Sequence, residues 1–447
     1  MEENTQIQLS DHFTYPRLIH FVLPSIVMMI FTSVYGIVDG LFVSNFAGKT
    51  AFAAVNLIIP FPMILGTLGF MIGTGGSAMV SKTLGEGKRE KAIDYFSMLI
   101  EVTIIGGILT SLLGIAVMPA VARLLGASEE MLPYCVTYGR FVALGGTFFM
   151  LQSAFQSFLV TAEKPKLGLY ITVGAGVTNM LGDLLLVGLL RGGVVGAAAA
   201  TCASQIVGGG IPLLYFFSSR NDSKLRLRMA PIDWHILGRT CINGSSEMMT
   251  NVSMSLVSML YNFQLMAYAG ENGVAAYGVI MYAGFIFAAI FIGYSMGSAP
   301  IVGFHYGAGN HDELHNMLKK SLILMSLSGL AMFILPLFLA RPLAMLFVGY
   351  DAELLELTAH GFRIYCLCNI VSGINIFGSA FFTALGNGLL SALISFLRTL
   401  LFQSAAVLIL PILFGLNGIW FAVLAAELMA LTVVVACLVR NQKRYHY

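Results

Sequence analysis

Five acidic residues lie inside long apolar stretches of this chain: Asp39, Glu101, Asp183, Glu247 and Glu427. A carboxylate inside a lipid-embedded helix costs about 3 kcal/mol or more unless it pairs with a cation or faces water. Acids that a chain retains in such places usually mark a path for protons, metal ions or organic cations. These five residues are therefore the first candidates for chemistry.

Two of these acids would meet neutral oxygen ligands. Asp183 follows Asn179 by four residues, so both side chains share one helical face,. Thr201 lies in the next apolar stretch, where the chain has turned back, and Asp39 would join from the first stretch. Such an oxygen cage suits a sodium ion, or two carboxyls that share protons. The alternative is a structural polar cluster that joins helices.

The first apolar stretch has features of a bendable helix with space around its acid. Asp39 is preceded by Tyr35-Gly-Ile-Val, and these small neighbours leave room for a cavity. Pro24 lies fifteen residues earlier and removes a backbone hydrogen bond, so it should kink or weaken the helix,.

The remaining buried charges are less specific. Glu247 begins the seventh apolar stretch, where it would bind a cationic substrate or a second coupling ion, or act only at the helix entry. Glu101 lies near a lysine-rich turn and can reach the membrane surface,. Glu427 lies among small residues in the last stretch, and Arg398 has no assigned role.

Composition places the chain in a lipid bilayer. It is 57% hydrophobic and 10% charged, with a mean hydropathy of +0.85, whereas soluble proteins carry about 25% charged residues. The pattern contains no basic stripe for nucleic acid and no constellation of an enzyme or a bound cofactor. An ATP site is also not expected, so transport would draw on an ion gradient or on the substrate.

Twelve apolar runs are long enough to cross a bilayer, which takes about 20 residues each. The predicted fold is therefore an all-α membrane protein with twelve transmembrane helices. The runs lie near residues 17–45, 52–80, 93–122, 133–161, 167–190, 194–219, 236–268, 274–303, 315–340, 353–384, 389–412 and 417–439.

The chain repeats itself at an interval of 222 residues, which predicts two like halves. Because each half has six spans, both begin on the same side, and a pseudo-twofold axis along the membrane normal would relate them. We expect lobes at 1–219 and 232–447, with a polar linker at 220–231. The shift places Ala47-Gly48 on Ala269-Gly270, Gly75 on Gly297, Gly85-Glu86-Gly87 on Gly307-Ala308-Gly309, and Phe155 and Ser157 on Phe377 and Ser379.

Charge predicts the orientation. Most lysines and arginines fall in the even-numbered turns, the linker and the termini, and few fall in the odd-numbered turns. By the positive-inside rule, both termini are expected in the cytoplasm.

The spacing of these residues resembles the multidrug and toxic compound extrusion (MATE) family over essentially the whole chain, most closely its DinF-like branch with the MepA-type bacterial pumps. The residues that carry the resemblance are Pro24, Tyr35, Asp39, Asn179, Asp183 and Thr201.

The resemblance implies a multi-pass protein of the bacterial plasma membrane, monomeric, with two bundles around a central cavity. It implies an antiporter that exports amphipathic organic cations, such as drugs and dyes, in exchange for H+ or Na+, and needs no cofactor. Matching positions assign the cation site to Asp39, Asn179, Asp183 and Thr201, which would bind metal only if sodium is the coupling ion. Bending of the first span is assigned to Pro24 and Tyr35.

Two points narrow these expectations. Span ten offers Cys366, Cys368 and Asn369 where a second-lobe sodium site would use an aspartate, which favours a first-lobe mechanism and protons. A flippase for lipid-linked precursors is the alternative function. It would need basic residues in its cavity, and Arg398 is the one deep candidate. A membrane scaffold or receptor is a third possibility.

Overall fold

The computed structural model describes residues 7–46, 49–58, 60–349 and 351–447, and within these ranges the chain is helical without strands. Helices α1 to α7 precede the polar linker, and α8 to α14 follow it. Their bounds are α1 Tyr15–Phe46, α2 Lys49–Ile58, α3 Pro60–Gly85, α4 Arg89–Leu124, α5 Leu132–Thr161, α6 Pro165–Gly182 with a π-helical continuation at Asp183–Leu189, α7 Gly193–Phe217, α8 Trp234–Gly307, α9 His311–Val348, α10 Ala352–Tyr365, a 3-10 turn at Cys366–Cys368, α11 Asn369–Ala384, α12 Gly388–Phe396 with a π-helical continuation at Leu397–Phe402, α13 Gln403–Phe414 and α14 Leu416–Tyr445.

Helix α8 crosses the membrane twice. It contains 74 residues, which at about 1.5 Å per residue is nearly four times the length that one bilayer crossing needs. Gly270 interrupts it with φ 60° and ψ −152°, a conformation that glycine adopts readily. The eleven long apolar helical segments of the described chain therefore make twelve crossings, which confirms the predicted fold class.

The second span begins later than predicted. The apolar run at 52–80 is divided, because α2 ends at Ile58 and the spanning helix α3 runs over Pro60–Gly85. Proline has no N–H for an intrahelical bond and is favoured in the first turn, so Pro60 starts a new helix. Residue 59 lies outside the described residues, as does Ala47-Gly48 of the predicted repeat.

The two halves meet through contacts that obey the repeat. A Cβ on Gly85 would collide with the Phe304 carbonyl, and a Cβ on Gly307 with the Lys82 carbonyl. Residues 82 and 304 are themselves 222 apart, so each half presents the same contact to the other. Both glycine-rich turns are tight, with positive φ at Gly87 and Gly309. Such reciprocal contacts are expected of two halves that are related by a pseudo-twofold axis.

The halves pack together on one side of the molecule, which we call the terminal side because Ile7 and Tyr447 both lie there. Hydrophobic clusters on this side mix residues of the two halves: Phe21 packs in the cluster of Phe381, and Ile236 in the cluster of Phe96. On the opposite side, each cluster of described residues draws on one half only. The buried clusters of the described residues therefore join the halves at the terminal side, whereas on the opposite side the partly buried Ile37 of the first half lines a cavity with second-half residues.

Candidate functional site

Two carboxyls meet in the first half of the molecule. Asp39 projects from α1, and its carboxyl interacts with the side chains of Asp183 and Asn179. Asp183 is fully buried and Asn179 is 2% exposed, whereas Asp39 is partly accessible. Because Asp39 and Asp183 come from different helices, the folded chain brings together residues 144 positions apart (183 − 39).

A local change of helix type sets the position of Asp183. It is the first residue of the π-helical segment that continues α6, and such segments often occur at functional sites because they rotate side chains out of the regular helical register. The turn that follows is closed by the Gly192 N–H, which donates to the Leu186 carbonyl at 2.7 Å. Gly182 allows α7 to approach at Ala200, where a Cβ would meet the alanine side chain at 2.7 Å.

These carboxyls are not neutralised by a basic side chain. One oxygen of Asp39 and both oxygens of Asp183 are buried without a well-formed hydrogen bond, although the side chains interact. Among the described residues, no lysine, arginine or histidine forms an ion pair with either acid. Burying an unpaired carboxylate is costly, so this pair must hold a proton or attract a cation.

Thr201 interacts with Tyr138, a residue near the two acids that the sequence analysis did not indicate. Its hydroxyl donates to the Ala197 carbonyl at 3.0 Å and interacts with the hydroxyl of Tyr138. Tyr138 lies on α5 and is 4% exposed. It is close enough to Asp39 and Asp183 for electrostatic interaction with both carboxyls. A tyrosine in an apolar span carries no sequence signal for a site. The predicted cage is therefore Asp39, Asn179 and Asp183 in contact, with Thr201 linked through Tyr138.

The two residues assigned to bending lie on α1 on one side of Asp39. Tyr35 lies one turn before Asp39 and senses its charge, while its ring packs 6.0 Å from that of Phe31. Helix α1 runs unbroken through Pro24. The Thr32 hydroxyl donates to its own helix at 2.9 Å, a bond type that often bends helices. A role of Pro24 and Tyr35 in bending stays a prediction.

Glu247 is not part of the Asp39 group. It lies on α8 one turn after Gly244, whose backbone packs against Met71 at the contact between the halves. Its side chain is partly accessible, and within the described chain its carboxyl forms no hydrogen bond or ion pair. A role in substrate or ion binding stays a prediction.

The second half contains a buried ion pair that the sequence left unassigned. The Arg398 Nε donates to both Glu427 oxygens at 2.8 and 3.1 Å. The Asn375 amide donates to Glu427 Oε2 at 2.6 Å and to the Glu427 carbonyl at 2.8 Å. The two charged side chains are 16% and 7% exposed. Glu427 is therefore a neutralised charge rather than an open acid. Glu101, by contrast, accepts a bond from the Ala230 N–H in the linker at 3.3 Å.

Comparison with known proteins agrees with this architecture. The MatE family profile matches the chain twice, at residues 24–185 and 247–408, and together the matches cover more than half of it. The chain is 22% identical to the Multidrug export protein MepA of Staphylococcus saprophyticus subsp. saprophyticus, over 94% of its own length and 93% of that protein.

Solved structures show the same fold. A MATE structure in complex with MaL6 superposes with a TM-score of 0.90 at 21% identity, covering 96% of each chain. An outward-facing MATE family transporter of the MOP superfamily gives a TM-score of 0.89 at 21% identity, covering 96% of this chain and 95% of that one. With a profile that matches both halves and relatives that span nearly the whole chain, the protein belongs to the MatE family, which its buried residues indicated.

Proposed function

We propose that this protein is a multidrug efflux antiporter, which exports amphipathic organic cations in exchange for H+ or Na+. The observation that carries the proposal is the Asp39–Asp183 pair, buried without a basic partner among the described residues. The MepA relative is named as a multidrug export protein, and the same activity is proposed for this chain.

The acid pair provides a physical basis for exchange. A positive coupling ion and a cationic drug are both attracted to the same carboxyls, so each lowers the affinity for the other. If the coupling ion binds more tightly in one conformation, its binding shifts the population towards that conformation. Downhill entry of the ion would then drive uphill exit of the drug.

Alternating access would use the contact between the halves. In this structure the buried clusters of the described residues join the halves at the terminal side and belong to one half each on the opposite side. The terminal side also holds the basic linker and turns, so the positive-inside rule supports a cytoplasmic location for both termini. The conformation would then face outward from a bacterial plasma membrane. Since one chain contributes every member of the site, a monomer would suffice.

Protons are the coupling ion that we favour. The described chain holds no cluster of three or more His, Cys, Asp or Glu residues that could bind a metal, so sodium would depend on the amide and hydroxyl groups around Asp39. Two adjacent buried carboxyls need only one shared proton to remove their repulsion. The flippase alternative has little support, because its deep basic candidate, Arg398, is paired with Glu427.

The test is ethidium efflux from proteoliposomes, first under a pH gradient without sodium and then under a sodium gradient without a pH gradient. We expect efflux under the pH gradient, and loss of it in Asp39→Asn and Asp183→Asn variants that remain folded. Asp222→Asn, which alters an exposed acid in the linker, is the matched control. Normal gradient-driven efflux by both site variants would refute the proposal, and efflux that needs sodium would replace the proton with sodium.

A further inference from the structure

A short segment before α1 bridges the two halves on the terminal side. We call residues 7–14 the N-terminal strap. Leu9 and Phe13 are 1% and 0% exposed, and they pack in a hydrophobic cluster that consists mostly of residues after the linker, including Phe381 and Tyr445. The strap precedes a helix of the first half, yet its apolar side chains lie in the core of the second.

One end of the strap is held by the first half. The Leu9 N–H donates to Glu163 Oε1 at 2.7 Å. The same oxygen accepts from Lys224 of the linker at 2.8 Å, and Lys224 also reaches the Gln8 side chain at 3.5 Å. Glu163 is buried, so the bond from the Leu9 N–H is shielded from water, while Lys224 approaches from the partly exposed side. This anchor fixes the strap to the turn between α5 and α6.

The other end is held by the second half. The Phe13 N–H donates to Glu313 Oε1 at 2.9 Å, and His12 Nδ1 lies 2.5 Å from the second oxygen of Glu313. The Phe13 carbonyl accepts from Lys320 at 2.6 Å and from Asn316 at 3.1 Å. Glu313 is 5% exposed, so this anchor forms a charge-assisted network around a buried carboxylate at the start of α9.

The strap is too short to follow the halves apart. Its residues 8 to 11 form a turn, closed by the Asp11 N–H, which donates to the Gln8 carbonyl at 3.2 Å. Even fully extended, the four residue-to-residue steps from Leu9 to Phe13 span no more than about 14 Å. Phe13 lies two residues before α1 begins, so movement of α1 with the first half pulls it directly from Glu313.

The linker shows why the strap can be released. Residues 7–14 correspond under the 222 repeat to residues 229–236, which comprise the end of the linker and the first residues of α8. This segment is likewise bound to α4 of the other half, where the Ala230 N–H donates to Glu101 at 3.3 Å, and Arg228 just before it pairs with Glu90 and Asp94. The linker joins the halves covalently in every conformation. The strap has no covalent bond to the second half, so of these two bridges only the strap can detach.

We propose that the N-terminal strap is a releasable clasp that stabilises the conformation closed at the terminal side. Opening at that side would detach the strap from Glu313 and leave it bound to Glu163. The proposal rests on the alternating access of the proposed function. Phe13 carries two kinds of contact at this anchor, an apolar side chain in the core and a backbone bound to Glu313, Asn316 and Lys320. Weakening either kind should favour opening at the terminal side.

The test measures access between the halves. In a variant without the six native cysteines, a reporter Ser81→Cys occupies a fully buried position against Gly303 on the terminal side. A second reporter, Ile37→Cys, lies on the opposite side, where Ile37 lines a cavity that is otherwise formed by residues of the second half. Each is labelled with a membrane-impermeant maleimide from its own side of the membrane.

Glu313→Ala and, independently, Lys320→Met should raise the labelling rate of Ser81→Cys roughly tenfold, the change that follows from losing one charge-assisted hydrogen bond. Labelling of Ile37→Cys should fall in the same variants, whereas general loosening of the fold would raise both rates. Asp222→Asn is the matched control and should change neither. Unchanged labelling in both anchor variants, or a rise at both reporters, would overturn the clasp.

The two proposals can fail separately, because labelling requires neither drug nor ion gradient. If Asp39→Asn abolishes efflux while Glu313→Ala leaves labelling unchanged, the clasp is wrong and the antiporter stands. If the wild-type protein transports no cation while the anchor variants shift labelling in opposite directions, the clasp stands and the substrate assignment is wrong.

Discussion

Removing one partner of the Arg398–Glu427 pair should destabilise the protein more than removing both. Arg398→Met leaves Glu427 buried with Asn375 as its remaining hydrogen-bond donor, and Glu427→Gln leaves the Arg398 charge buried without its counterion. Breaking a buried ion pair from one side costs about 3–5 kcal/mol, whereas replacing both charges with apolar or neutral groups is often close to neutral. The double variant should therefore be more stable than either single variant.

The structure sets the expected magnitude. Three short hydrogen bonds of 2.6 to 3.1 Å satisfy the Glu427 carboxylate, and the charged side chains are 16% and 7% exposed. A hydrogen bond between membrane helices contributes only about 0.6 kcal/mol on average, because alternative partners exist when the helices separate. The expected effect is therefore smaller than the cost of breaking a buried ion pair in a soluble protein. We expect a coupling free energy of about 2 kcal/mol. The double variant should be more stable by this amount than the sum of the two single effects predicts.

The assay is a double-mutant cycle of unfolding free energy in mixed micelles with increasing SDS. The exposed pair Arg341–Glu356, with side chains 58% and 62% exposed, provides the matched control cycle, with an expected coupling of less than about 0.5 kcal/mol. If the effects of Arg398→Met and Glu427→Gln simply add, the interpretation of this cluster as a mutually neutralised pair is refuted.

Three further outcomes follow from the geometry. Gly307→Ala places a Cβ against the Lys82 carbonyl, so it should destabilise the terminal-side contact by about 1–3 kcal/mol, seen as faster maleimide labelling between the halves. Tyr138→Phe removes the hydroxyl beside Thr201 and should slow proton-driven ethidium efflux about fivefold, while it lowers the unfolding free energy by no more than about 1.5 kcal/mol. The Lys164 ammonium holds the pKa of Asp222 below its ordinary value. The pair therefore stabilises the fold at pH values above the ordinary pKa of an aspartate, and this stabilisation disappears as the pH falls through the lower pKa of the folded state. Because Asp222 is 69% exposed, Asp222→Asn should cost less than about 0.5 kcal/mol at pH 7 and nothing near pH 2, by thermal unfolding at both pH values.

Local patterns predict most of the fold. The fourth span was expected at 133–161, and α5 runs over Leu132–Thr161, because an apolar run in lipid can satisfy its backbone only as a helix. The division of α8 at Gly270 falls between the runs predicted at 236–268 and 274–303. The break at Pro60 was less visible, because it depends on how a single residue sets backbone geometry within a continuous apolar run, which hydropathy does not register.

The site was partly predictable, because an acid in an apolar span is conspicuous by itself. The residues that contact such an acid are harder to predict, because they come from other helices. Tyr138 joins Thr201 from a separate helix, and Arg398 meets Glu427 across 29 residues. The strap makes contacts over still longer distances, 154 residues from Leu9 to Glu163 and 301 from His12 to Glu313. A local pattern places Arg398 and Glu427 inside apolar spans, but it does not say which residues pair with each other, so only the packed chain identifies these partners.

The reciprocal glycine contacts have a consequence for the origin of the molecule. Gly85 meets the carbonyl of residue 304 while Gly307 meets the carbonyl of residue 82, which is the geometry of an isologous interface in a twofold-symmetric dimer. A free-standing six-helix unit with this glycine would carry a self-complementary patch and could pair with a second copy of itself. Gene duplication would then have joined two subunits that already fitted, and the linker would have made a homodimer into one chain. After fusion the two copies would have been free to diverge, so that the first half holds two acids without a basic partner among the described residues and the second half holds the Arg398–Glu427 ion pair.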